Sequence, residues 1–279
     1  MDKNKEFLTV SKSLLVAGAL GLGLMIQSVQ AGVIVPGYNS NTLAPNDDSS
    51  TGLVGIGFTA NFFGTNYSQL YVNNNGNVTF DSSLGTYTPF DLLSTSQVII
   101  APFFADVDTS RAGNPVTYGT GTYNGQNAFG VNWLDVDYFS SSTTHTNRDF
   151  FQLLLVDRSD VSTGDFDIIF NYDQIEWEAG TASGSDSNGL GGHSARVGYS
   201  NGVDTAFELT GSAINGAFID GGANALISNR RNSQFDGQYV FNVRNGNVID
   251  PPPSIPEPGS LALLGLGLLG FGFMGKKKA

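Results

Sequence analysis

The stretch Asp165-Phe166-Asp167-Ile168-Ile169-Phe170-Asn171-Tyr172 decides the fold, because Phe166, Ile168, Phe170 and Tyr172 alternate with Asp165, Asp167 and Asn171. A period of two sends successive side chains to opposite faces, so this segment is a β-strand with an apolar face inward and a polar face outward. Tyr239, Phe241 and Val243 alternate in the same way. Phe150-Phe151-Gln152-Leu153-Leu154-Leu155-Val156 is apolar on both faces, as a central strand covered on each side would be. The alternation of Phe129, Val131 and Trp133 changes phase against Val136 and Tyr138, which predicts a β-bulge near Leu134-Asp135. Asn73-Asn74-Asn75-Gly76-Asn77 separates Leu70-Tyr71-Val72 from Val78-Thr79-Phe80, and Asn-Gly is a strong hairpin signal.

No sustained helical period is visible, and short apolar runs are separated by Asn, Asp, Ser and Gly clusters in a chain with 36 glycines. The expected fold class is all-β: an antiparallel, β-sandwich-like single domain. Residues 180–192 read as a loop, residues 32–54 as an irregular N-terminal segment, and residues 245–254 as a linker. There is no cysteine, so core packing has to hold the domain together.

The two ends read as sorting signals. Lys3, Lys5 and Lys12 precede an apolar run from Ser13 to Met25, and Val29-Gln30-Ala31 offers the small residues of a signal-peptidase site, so residues 1–31 are expected to be a signal peptide cleaved after Ala31. The other reading, an uncleaved anchor, needs ~20 apolar residues, and this run is much shorter. At the C-terminus a proline-rich segment, Pro251 to Gly259, precedes an apolar run from Leu261 to Met274 and then Lys276-Lys277-Lys278. Fourteen helical residues span about 21 Å against a hydrocarbon core of ~30 Å, and four of them are glycine, so the tail makes a poor permanent anchor. The lysines would hold that end in the cytoplasm and leave the middle outside. Two short terminal helices therefore flank the β domain.

Setting aside Asp2, Glu6, Glu257 and the six terminal lysines leaves seven arginines against twenty-two carboxylates, a net charge of 7 − 22, near −15. Such a surface repels nucleic acid phosphates and anionic membranes, whereas cationic partners, Ca²⁺ among them, fit it.

Ile255-Pro256-Glu257-Pro258-Gly259, followed by the apolar run and the basic end, resembles a PEP-CTERM sorting signal over residues 255–279; Ile255 stands where that family usually has Val. The resemblance implies a Gram-negative bacterium, processing by an exosortase after signal peptidase, only transient membrane contact through the tail, and delivery to the cell surface or an exopolysaccharide matrix. The middle resembles the nidogen-like (NIDO) domain. The matching blocks, in the family's order, are Phe62-Phe63-Gly64 with Tyr71 to Phe80, Ile100 to Thr109, Val131-Asn132-Trp133, Phe151-Gln152-Leu153, Phe166 to Tyr172 with Glu176-Trp177, Ala195 to Tyr199, and Gly237 to Phe241. Residues 55–244 are the expected domain. The resemblance implies an extracellular structural or adhesive role, in matrix or biofilm, without catalytic residues.

Candidate chemistry is sparse. His145 and His193 lie in Ser, Thr or Gly-rich stretches and read as solvated loop positions. Asp106 and Asp108, at the end of an apolar strand, are a candidate Ca²⁺ pair, with Asp47, Asp48, Asp157 or Asp160 as further ligands; the alternative is that they solvate a turn. Glu176 and Glu178 flank Trp177, a pattern that a secreted glycoside hydrolase could use, although it fits better with Trp177 in the core and its neighbours in solvent. A carbohydrate-binding module for exopolysaccharide would use exposed aromatics such as Tyr123 or Tyr138.

Overall fold

The structure, a computed structural model, describes residues 33–140 and 145–249. The signal peptide with its cleavage point at Ala31 and the sorting motif Ile255 to Gly259 lie outside the described residues.

Fourteen strands follow one another along the described chain: β1 (Asn41–Thr42), β2 (Val54–Phe62), β3 (Thr65–Asn73), β4 (Asn77–Thr79), β5 (Val98–Phe104), β6 (Val107–Gly113), β7 (Thr117–Tyr123), β8 (Gln126–Tyr138), β9 (Asp149–Asp157), β10 (Phe166–Gln174), β11 (Arg196–Asn201), β12 (Ala206–Glu208), β13 (Gln238–Arg244) and β14 (Asn247–Ile249). They form two antiparallel sheets. The larger runs β1-β7-β8-β9-β10-β13-β14 with β6 also on β8, and the smaller runs β12-β11-β5-β4-β3-β2.

The inner faces meet in an aromatic core. Phe103 lies 5.3 Å from Phe151, Phe62 lies 6.0 Å from Phe166, and Tyr199 lies 5.6 Å from Phe241, each pair bridging the sheets. The Tyr172 hydroxyl donates across the same gap to the Pro102 carbonyl at 2.6 Å. Burial of rings and β-branched side chains supplies the driving force that a cysteine-free chain needs.

The strand read from Phe166 to Tyr172 is β10, with Phe166, Ile168, Phe170 and Tyr172 facing this core. β9 is central, between β8 and β10. The bulge is present: the β8–β9 register slips between Leu134 and Val136, and Asp135 has a φ of +63°. The hairpin is present as well, with Asn73 opposite Asn77 and Gly76 at a φ of +69°.

Two expectations change. Residues 32–54 are only partly irregular: Asn41 and Thr42 pair with β7, and Val35 and Tyr38 pack onto the outer face of the large sheet over Ala128, Leu154, Val156 and Ile169. That face is therefore covered at β9, as expected, and also at β10, whose polar side was expected outward. Its polar residues form an amide ladder in strand register: Gln152 Nε2 donates to Asn132 Oδ1 (2.8 Å), Asn171 Nδ2 to Gln152 Oε1 (2.9 Å), and Gln238 Nε2 to Asn171 Oδ1 (3.0 Å). Second, residues 247–249, expected in the linker, extend the sheet as β14 because Asn245-Gly246 turns the chain back onto β13.

Candidate functional site

The loop Asn74-Asn75-Gly76 sits inside the protein, with Asn74 and Asn75 both buried. A turn buried in this way must find partners for its polar groups. Asn74 Nδ2 donates to the carbonyls of Asp47 and Val107, each at 2.5 Å, and its own carbonyl accepts from Trp133 Nε1 at 2.9 Å. Asn75 Oδ1 accepts from the Val107 amide (3.0 Å), and its Nδ2 donates to Asp48 Oδ1 (2.8 Å). The turn thus fixes the Asp47-Asp48 segment beside the corner between β5 and β6.

Asp106 occupies that corner. Its carboxylate and those of Asp47 and Asp48 present oxygens within 4.8 Å of one another. Asp106 is 1% exposed, and its Oδ2 has no hydrogen-bond partner; Asp47 Oδ1 is likewise buried and unpartnered. Burial, with Asp47, Asp48 and Asp108 nearby, pushes the Asp106 carboxyl up to about 8, against a Ser183 hydroxyl bond that lowers it. Burial and the charges of Asp48 and Asp108 raise Asp47 to about 6. Gly180 closes the wall, where a Cβ would overlap the Asp106 carboxylate.

Asp108 does not join this group. Its Oδ1 accepts from the Ser110 amide (2.7 Å) and hydroxyl (2.6 Å), and its Oδ2 lies 3.8 Å from Arg111 Nε. Ala105-Asp106 forms a corner between two strands, so the alternation expected to put both carboxylates on one face is interrupted there. Asp157 and Asp160 are engaged elsewhere, the first by Ser159 and the second by Arg158.

Other residues singled out in the sequence sit differently from their expected places. Trp177 is in the core as anticipated, but Glu178 is fully buried, accepting from the amides of Gly216 and Phe218 at 2.7 Å each. Glu176 accepts from the Arg148 amide at 2.9 Å. Both glutamates lie beyond the end of β10, so they do not share a strand face. Tyr138, expected as an exposed aromatic, is buried and stacks on His145 at 3.9 Å, while His145 Nδ1 is 2.9 Å from Asp137 Oδ1, so His145 is not a solvated loop position. Tyr123 is partly buried, and His193 is exposed. Sequence reasoning missed Asp149, which is fully buried with Oδ1 accepting from the amides of Glu176 and Trp177.

A family model for the nidogen-like domain matches residues 68–123 and 117–245, and one for the PEP-CTERM protein-sorting motif matches residues 254–278. Alpha-tectorin of Homo sapiens is 30% identical over 243 residues, covering 78% of this chain and 11% of its own length. Alpha-tectorin of Gallus gallus is 28% identical over 242 residues, with coverage of 78% and 11%, and Nidogen of Drosophila melanogaster is 28% identical over 252 residues, with 79% and 17%. The chain therefore spans less than a fifth of the length of the curated relatives it matches. No solved structure matches it. With the buried Asn-Gly turn, the Asp106 corner and strands β8 to β13 all inside the matched residues, the chain belongs to the nidogen-like domain family and carries a PEP-CTERM sorting motif behind that domain.

Proposed function

We propose that this is an exported structural protein of a Gram-negative bacterium, delivered by an exosortase to the cell surface or an exopolysaccharide matrix, where its domain serves in adhesion, cell aggregation or biofilm organisation. The observation that carries this reading is the sorting motif over residues 254–278, close behind a nidogen-like domain that ends at residue 245. In this scheme signal peptidase removes residues 1–31, the β domain is the working part, and the segment after β14 spaces it from the tail.

Surface charge supports the reading. Arg111, Arg148, Arg158, Arg196, Arg230 and Arg244 each face one or more carboxylates, and Arg231 lies over the rings of Phe207 and Phe241. The cationic side chains of the domain are thus engaged internally, which leaves an acidic exterior suited to cations or neutral glycans rather than to nucleic acid. A structural role also agrees with how the glutamates beside Trp177 are used, since both accept from backbone amides. Of the two tyrosines considered for sugar stacking, Tyr138 is inside the protein, so a glycan-binding surface would have to draw on other residues.

Deletion of residues 251–279 tests the proposal. Fractionation should then find the protein retained in the periplasm or released in the wrong compartment. Surface delivery equal to that of the full chain would contradict it.

A further inference from the structure

We propose that Asp47, Asp48 and Asp106 hold a divalent, oxygen-preferring cation of the Ca²⁺ class, which clips the N-terminal segment to the β5–β6 corner. Three observations converge on the same point. The three carboxylates gather oxygens within 4.8 Å. Oxygens that share one ion at metal–oxygen distances of about 2.4 Å are at most about 4.8 Å apart, so three within that limit can bind the same ion. Two of them bring a buried oxygen without a hydrogen-bond partner, and Asp106 is almost wholly inside the protein. An unpaired buried carboxylate oxygen is costly unless something positive completes it.

The surroundings hold the ligands in place. Asn75 fixes Asp48 through its side-chain amide, and Asn75 is itself held by the Thr86 carbonyl and the Val107 amide. Asn74 fixes the backbone of Asp47. Gly180 lets the chain pass against Asp106 where any side chain would displace the carboxylate. Arg111 sits at Asp108, and its charge offsets only part of the crowding at Asp47, whose carboxyl stays raised. Asp47 and Asp48 are half-buried, so an ion can enter from solvent and keep water ligands on that side.

The donor set is all oxygen with a formal charge of −3, which selects hard cations over thiolate- or imidazole-seeking metals. An ion there joins residues 47 and 48, early in the chain, to residue 106. It would act as a long-range cross-link in a protein that has no disulfide. This inference stands apart from the sorting role and can fail or hold independently of it.

The test uses the exported protein, stripped with chelator, in calorimetric titration and thermal melting with CaCl2. Expected is a dissociation constant of about 10⁻⁴ to 10⁻³ M, the range of extracellular Ca²⁺ modules, with a melting temperature that rises on addition. Asp106→Asn should weaken binding at least about tenfold. Asp47→Asn, at a half-buried position, provides the same readout if the first variant does not fold. Asp160→Asn, on the surface beside Arg158, should bind like the parent. No heat and no melting shift at about 10 mM CaCl2 overturns the proposal. So does an equal shift with NaCl of matched ionic strength, or an unchanged response in Asp106→Asn or Asp47→Asn.

Discussion

Gly76 shows what one residue can decide in this fold. Its φ is +69°, and a Cβ there would overlap the Phe103 carbonyl, which accepts no displacement because the Phe103 amide is bonded to the Gly76 carbonyl at 3.1 Å. Left-handed backbone costs an L-residue roughly 1–2 kcal/mol, and overpacking adds about 1–3 more. Gly76→Ala is therefore expected to lose about 3 kcal/mol or more, read from denaturant unfolding; a loss below about 1 kcal/mol would show that the turn can move. Asp149 makes a different prediction. Burial holds its carboxyl well above the usual range, the amides of Glu176 and Trp177 oppose this, and Asp220 and Glu176 add to it. A carboxyl that binds its proton more tightly when folded favours folding at low pH, and this contribution is lost as pH rises from about 4 toward the folded value. Asp149→Asn keeps a side-chain oxygen for the two amides and carries no charge. Its melting temperature, compared with the parent in chelator, should gain between about pH 5 and pH 8, and a constant difference would argue against a titrating Asp149.

Among the elements, alternation made β10, β13 and central β9 legible, and the phase change at Leu134-Asp135 located the bulge. Alternation states which side chains share a face; it does not state what covers that face. For this reason the outer face of the large sheet was legible as covered at β9, where Leu154 and Val156 are apolar, but at β10, where Asn171 reads as polar, it was legible as outward-facing and not as buried. The cover comes from Val35 and Tyr38, far away in sequence, with the Tyr38 ring seated where Gly130 has no side chain. Glu178 and Tyr138 escaped for the same reason, since their partners, the Gly216 and Phe218 amides and the Ser187 carbonyl, are distant in the chain; His145 pairs with Asp137 only eight residues away, but no periodicity marks that contact. Gln152 is the centre of the ladder, bonding Asn132, Asn171 and both the amide and the carbonyl of Val35. Gln152→Ala strands several buried partners, each costing about 1–3 kcal/mol. Limited proteolysis near Val35 to Tyr38 should accelerate together with a drop in stability of about 2–4 kcal/mol. Unchanged cleavage there would mean that the ladder does not hold the segment.

At the scale of the molecule, the candidate site was half legible. Asp106 and the pair Asp47-Asp48 could be picked out as acidic, but only the folded chain shows that the buried Asn turn brings them together and that Asp108 is committed to Ser110 and Arg111. The C-terminal sorting motif, by contrast, was legible without the fold, because sorting signals are recognised as linear patterns of charge, apolar length and proline. In the function proposed above, an acidic β domain stands between two short apolar segments that are handled during export, and the domain works outside. Mass spectrometry of the protein recovered from its native cells tests this most directly. The account predicts a species beginning at Gly32 and lacking the apolar run from Leu261 to Met274. An intact 279-residue chain in the cytosol would contradict it.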